Sequence, residues 1–70
     1  MKPSEIQVGV IYVNRGAGRT RRTVVAIGEE HQPPWDGTRG DEPGVLYEQN
    51  GVRRVLYLSS FAKWAKGSVG

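Results

Sequence analysis

The sequence predicts an all-β domain, a small barrel of about five short strands followed by one short C-terminal helical turn. Three observations support this class. Short runs rich in β-branched and aromatic residues alternate with Gly, Pro and Asn. An Asn-Gly pair separates two of these runs, as in a tight hairpin. The last apolar residues are spaced as on a single helical turn. A chain of 70 residues accommodates one domain, 1–70.

The first two predicted strands flank a turn that contains glycine. Residues 8–13 (VGVIYV) and 21–27 (RRTVVAI) have the length and composition of strands, and Gly28 ends the second. Residues 15–19 contain two glycines, so we expect a turn or hairpin tip there.

The segment 28–44 (GEEHQPPWDGTRGDEPG) is predicted to be a long loop of the domain. Its prolines and glycines disfavour both a helix and a central strand. A loop of this length in a small domain usually indicates either function or disorder. Trp35 within it either folds back over the core or stands out as an anchor for a partner.

Asn50-Gly51 predicts a two-residue type I′ hairpin, because both central residues of that turn need a positive φ. The turn sets a register between residues 45–49 and 52–58. The expected pairs are Gln49 with Val52, Glu48 with Arg53, Tyr47 with Arg54, Leu46 with Val55, and Val45 with Leu56. One face of the hairpin then carries Leu46, Glu48, Arg53 and Val55, and the other carries Val45, Tyr47, Arg54 and Leu56.

A single helical turn is predicted after the hairpin. Ser59 and Ser60 offer a hydroxyl N-cap. Phe61, Trp64 and Ala65 follow at i, i+3 and i+4, so they share one face of the turn. Such a turn must dock to persist, and we expect Phe61 and Trp64 to close an open end of the barrel. Residues 67–70 are expected to form a frayed tail.

The order of these elements resembles small SH3-like barrel proteins encoded by bacteriophages and prophages. The resemblance rests on Val-Gly-x-x-Tyr at 8–12, a glycine tip, Arg-x-Val-x-x-Ile at 22–27, a long loop, a hairpin, and Ser-Ser-Phe-x-x-Trp-Ala at 59–65. It covers nearly the whole chain and implies an SH3-like barrel. The family implies no particular activity.

Enzyme activity is not expected. The topology also resembles the type II, trimethoprim-insensitive dihydrofolate reductases, whose late strand reads Val-Gln-Ile-Tyr. Residues 54–58 here read Arg-Val-Leu-Tyr-Leu and lack the glutamine. The chain has no cysteine, one histidine (His31) and no nucleophile elbow around its serines. We therefore predict neither catalysis, nor a cofactor, nor a metal site.

The formal net charge of +3 is unevenly distributed, in the order basic, acidic, basic. Arginines cluster at the predicted hairpin tip and second strand, where they could meet phosphates. Tyr47 beside Arg54 pairs an aromatic ring with a cation, as in β-sheet nucleic-acid binders. The first hypothesis is therefore a nucleic-acid site formed by Arg15, Arg19, Arg21, Arg22, Tyr47 and Arg54.

Structural interpretations of the same residues stay open. Arg53 opposite Glu48 suits a cross-strand ion pair. Tyr47 and Arg54 could form a surface cation–π contact. Exposed arginines also discourage edge-to-edge association.

The alternative hypothesis is a protein-interaction module, an inhibitor or adaptor of a host protein. It would use the 28–44 loop, with Trp35 and Arg39 as its contacts. The polar first residues predict no signal peptide and no membrane contact. We expect a cytoplasmic protein that is a monomer or a small homo-oligomer.

Overall fold

The computed structural model describes residues 1–14, 20–33 and 42–69. In these ranges the fold is an antiparallel five-stranded sheet with one short helix, which confirms the predicted all-β class with a short helical turn. The strands lie in the order β4-β3-β2-β1-β5. The elements are β1 (Ile11–Val13), β2 (Arg21–Gly28), β3 (Gly44–Gln49), β4 (Val52–Tyr57), α1 (Leu58–Trp64) and β5 (Gly67–Val69), with 3-10 turns at Pro3–Glu5 and Glu29–His31.

The first strand is shorter than predicted, and the predicted frayed tail is wrong. β1 begins at Ile11, since Gly9 with φ of 86° turns the chain just before it. The tail forms β5 and pairs antiparallel with β1, Ile11 opposite Val69. The Lys66 N–H donates to the carbonyl of Val13 at 2.9 Å and leads into this pairing. The free side of β1 therefore orders a segment that lacks strand character of its own.

The Asn-Gly hairpin has the predicted register. All five predicted pairs are present, and the ladder continues to Gly44 opposite Tyr57. Asn50 and Gly51 have φ of 53° and 78°, as a type I′ turn requires. β4 ends at Tyr57, one residue earlier than predicted, because Leu58 already belongs to α1.

The ends of the predicted 28–44 loop are ordered and lie side by side. β2 runs through Gly28, which pairs with Gly44, and a 3-10 turn follows at Glu29–His31. Gly44 fits a place with no room for a side chain, because an added Cβ would lie 2.0 Å from the carbonyl oxygen of His31. Trp35 and Arg39 lie outside the described residues.

The helix is longer than the predicted turn, and the predicted serine N-cap is wrong. The N-cap position is Tyr57, and no side chain caps the helix there. The hydroxyl of Ser59 instead donates to Oε1 of Glu42, which also accepts the Ser59 N–H at 3.1 Å. A carboxylate seventeen residues earlier in the chain thus satisfies the first turn of α1.

Phe61 docks as the predicted turn requires, lies at the centre of the core and is 0% exposed. Its ring centroid lies 5.7 Å from that of Tyr12, 5.5 Å from that of Tyr47 and 5.5 Å from that of Trp64. Trp64 is half-buried and packs against this core. The helix therefore covers one face of the sheet, which we call the inner face. None of the described helices is long and apolar enough to cross a membrane.

Candidate functional site

The sheet brings the two basic stretches of the sequence to one end of the domain. β2 begins at Arg21, which pairs with the last residue of β1. β4 begins beside the end of β3, where Arg53 pairs with Glu48. The C-terminal end of α1 joins them, because Asn14 Nδ2 donates to the carbonyl of Trp64 at 2.9 Å. We define the basic end as Arg21, Arg22, Arg53, Arg54, Lys63 and Lys66.

Three of the described acids lie at the opposite end of the strands, whereas Glu48 lies at the basic end. Glu29 and Glu30 follow the last residue of β2. Glu42 precedes β3 and bonds to the first turn of α1. The sequence order basic, acidic, basic thus becomes a separation of charge along the strands, because antiparallel strands return the chain to the end at which it started.

The alternation of side chains along a strand divides the arginines between two faces. Arg22 pairs with Tyr12, and Arg54 pairs with Tyr47. Both of these tyrosines are buried on the inner face. The neighbouring residues Arg21 and Arg53 therefore belong to the opposite face of the sheet, which we call the outer face. There the exposed side chain of Arg53 forms the predicted ion pair with Glu48, with Nε 3.7 Å from Oε2.

Arg22 is the most constrained of the described arginines. Its Nε donates to Oε1 of Gln49 at 2.8 Å. Its Cζ lies 4.1 Å from the ring centroid of Trp64 and 4.7 Å from that of Tyr47. These contacts hold the guanidinium against two aromatic rings at the edge of the core. We call Arg22, Tyr47, Gln49, Arg54 and Trp64 the Arg22 cluster.

The Arg22 cluster carries positive charge without a matching acid. Within the described ranges, no carboxylate forms an ion pair with Arg22 or Arg54. Burial lowers the pKa of Arg22, the hydroxyl of Tyr47 acts in the opposite direction, and the charge of Arg54 lowers the pKa further. Arginine stays protonated in proteins all the same. An anion placed between the two guanidiniums would relieve their mutual repulsion.

The predicted site residues do not form one continuous surface. Arg21, Arg22 and Arg54 share the basic end, but Arg21 belongs to the other face. Arg15 and Arg19 lie outside the described residues, as do Trp35 and Arg39 of the alternative hypothesis.

Tyr47 requires a correction, because it is buried and 3% exposed. Its ring packs against Phe61 and Arg22, which leaves no free face for a base. The cation over Tyr47 is Arg22, whereas the sequence suggested Arg54. Cross-strand neighbours on the inner face compete for the same ring, and Arg22 reaches it from β2.

Two members of the cluster were not predicted as site residues. The sequence places Trp64 on the docking face of the helical turn, because it follows Phe61 by three positions. Gln49 lies two residues after Tyr47 in β3, so strand alternation alone predicts that the two side chains share a face. Its contact with Arg22 depends on the pairing of β2 with β3, which local sequence does not reveal.

No protein-family model, curated protein or solved structure matches the chain. The resemblances to SH3-like phage proteins and to type II dihydrofolate reductases therefore stay predictions. What the site can bind follows from its own residues.

Proposed function

We propose that this protein is a non-catalytic nucleic-acid-binding module that contacts the phosphate backbone with its basic end. One observation carries the proposal. Two basic stretches, separated in the sequence by an acidic one, meet at the same end of the sheet. Convergence of Lys and Arg on one surface is the electrostatic footprint of nucleic-acid binders.

The charges at the basic end suit a phosphate backbone. Arg21, Arg53, Arg54, Lys63 and Lys66 are exposed, so phosphates can approach them. The Glu48 carboxylate offsets one of them, Arg53. The acids at the opposite end orient the domain, because they repel the backbone while the basic end attracts it.

The proposal predicts a steep dependence of affinity on salt. About four phosphate contacts give a slope of log K against log salt near −3.6 for duplex DNA. Affinity then falls on the order of 100-fold between 50 and 200 mM salt. Fluorescence anisotropy with labelled single- and double-stranded oligonucleotides measures both the affinity and the slope.

A variant pair isolates the contribution of the basic end. Arg21→Ala, Arg54→Ala and Lys66→Ala together remove three exposed cations, so the fold should persist. The slope should fall by about 3, since each lost phosphate contact contributes about 1. Glu29→Gln with Glu30→Gln is the control, because it changes charge at the far end and should leave the slope unchanged. Absence of binding by the unmodified protein at 50 mM salt, or an unchanged slope in the triple variant, contradicts the proposal.

A further inference from the structure

We infer that the inner face of the basic end contains a phosphate-binding site built by Arg22 and Arg54, and that the outer-face arginines are not part of it. The inference rests on the proposed function and adds which side chains of the basic end form a built site, while the other cations contribute long-range attraction. Its ligand class is a phosphate ester or another phosphate oxyanion.

Arg22 is held in place and still has donors to offer. Its Nε is bonded to Gln49, and its terminal nitrogens donate to no described residue. In the described ranges, no buried side-chain nitrogen lacks a hydrogen-bond partner. The terminal nitrogens of Arg22 are therefore not fully buried, which agrees with the half-buried state of the residue. A guanidinium whose Nε and plane are fixed loses little entropy when it binds a phosphate through two parallel hydrogen bonds.

Arg54 supplies the second cation. It is exposed and lies on the inner face opposite Tyr47, the ring on which Arg22 rests. The backbones of β2 and β4 are two strand spacings apart, roughly 10 Å. Arg54 is also displaced by two residues along the strands from Arg22, because its partner Tyr47 lies opposite Val24. The positive charge of Arg54 already acts on Arg22 and lowers its pKa. Two arginine side chains that start this far apart can converge on one anion between them.

The outer face offers a weaker arrangement. Arg53 pairs with Glu48, so an incoming phosphate must displace a carboxylate or share its partner. Arg21 is exposed, and no aromatic ring of the described residues holds its guanidinium. Such arginines add long-range attraction but no built site.

Solution NMR can test the site without any nucleic acid. Inorganic pyrophosphate is titrated while the Nε–Hε signals of the arginines are followed, and sodium chloride of equal ionic strength serves as the control. We expect saturable shifts for Arg22 and Arg54 that chloride does not reproduce. Equal shifts for Arg21 and Arg53, linear shifts without saturation, or no shifts would overturn the inference.

Adjacent arginines give a matched comparison of the two faces. Arg54→Ala and Arg53→Ala remove the same charge at neighbouring exposed positions of β4. Arg54→Ala should weaken pyrophosphate and oligonucleotide binding about tenfold, as expected for losing hydrogen bonds to a charged group. Arg53→Ala should change binding less than about twofold. Equal losses in the two variants would refute a site confined to the inner face.

Arg22→Lys tests whether the guanidinium itself is needed. It keeps the charge but removes the planar pair of donors, so pyrophosphate affinity should fall several-fold, roughly three to ten. Circular dichroism checks that the Arg22→Lys variant is folded. If it is not, the comparison of Arg53→Ala with Arg54→Ala still tests the site. An affinity equal to that of the unmodified protein would mean that charge alone suffices.

The outcomes separate this inference from the proposed function. Saturable pyrophosphate binding at Arg22 and Arg54 without oligonucleotide binding supports the anion site and rejects the nucleic-acid function. Oligonucleotide binding that Arg53→Ala and Arg54→Ala weaken equally supports the function and rejects the site.

Discussion

Replacing Tyr12 by phenylalanine removes one hydroxyl that joins two parts of the domain. The hydroxyl donates to the carbonyl oxygen of Glu5 at 2.9 Å and accepts the N–H of Gln7 at 2.7 Å. These two bonds attach the N-terminal segment, which includes the core residue Ile6, to β1. Tyr12 is 1% exposed, so the ring itself stays in place when the hydroxyl is lost.

The expected cost follows from the two hydrogen bonds. A net contribution near 1 kcal/mol for each predicts a loss of about 2 kcal/mol. A 70-residue domain has a total stability of only a few kcal/mol, so this is a large fraction. The midpoint of thermal unfolding should fall by roughly 8 to 16 °C.

Urea unfolding followed by circular dichroism measures the difference in free energy. Tyr47→Phe is the matched control, because Tyr47 is also buried but its hydroxyl makes no hydrogen bond with another described residue. The control should lose less than about 0.5 kcal/mol. If the two variants differ by less than about 0.5 kcal/mol, the Tyr12 hydroxyl does not anchor the N-terminal segment and the reasoning fails.

Two further perturbations test the fold. Gly44→Ala should destabilise the domain by about 2 to 3 kcal/mol in urea unfolding, because its Cβ would lie 2.0 Å from the carbonyl oxygen of His31. Gly51→Ala meets no atom within 4 Å and should cost only about 1 kcal/mol for its positive φ, so equal losses would contradict the steric argument. Glu42→Ala should cost about 1 kcal/mol, because it removes the acceptor of the Ser59 N–H and hydroxyl. Adding Ser59→Ala to that variant should cost little more, because the partner of the hydroxyl is already gone. An unchanged free energy in Glu42→Ala would show that this cap is not used.

The local elements could be read from the sequence because their causes are local. Asn50-Gly51 meets the backbone requirement of a type I′ turn within two residues, and strand alternation then orders every pair of the hairpin. The central place of Phe61 follows from its spacing in an apolar turn that has to dock.

The tertiary structure decided where non-adjacent segments meet. Residues 67–69 have little strand propensity, yet they pair with β1 because its free edge offers unpaired backbone groups. Ser59 meets Glu42 because the residues directly before β3 lie beside the start of α1. Neither contact can be predicted from the residues next to it in the sequence.

The basic end combines both kinds of determination. Sequence alone determined that positive charge is concentrated in two stretches and that Arg53 and Arg54 face opposite sides of the hairpin. Only the packing of β2 against β3 and α1 decided that Arg22 rests on Tyr47 and Trp64 and that Tyr47 is covered. The physical reason is that charge and alternation are properties of each residue and its neighbours, whereas burial depends on which distant side chains compete for the same surface.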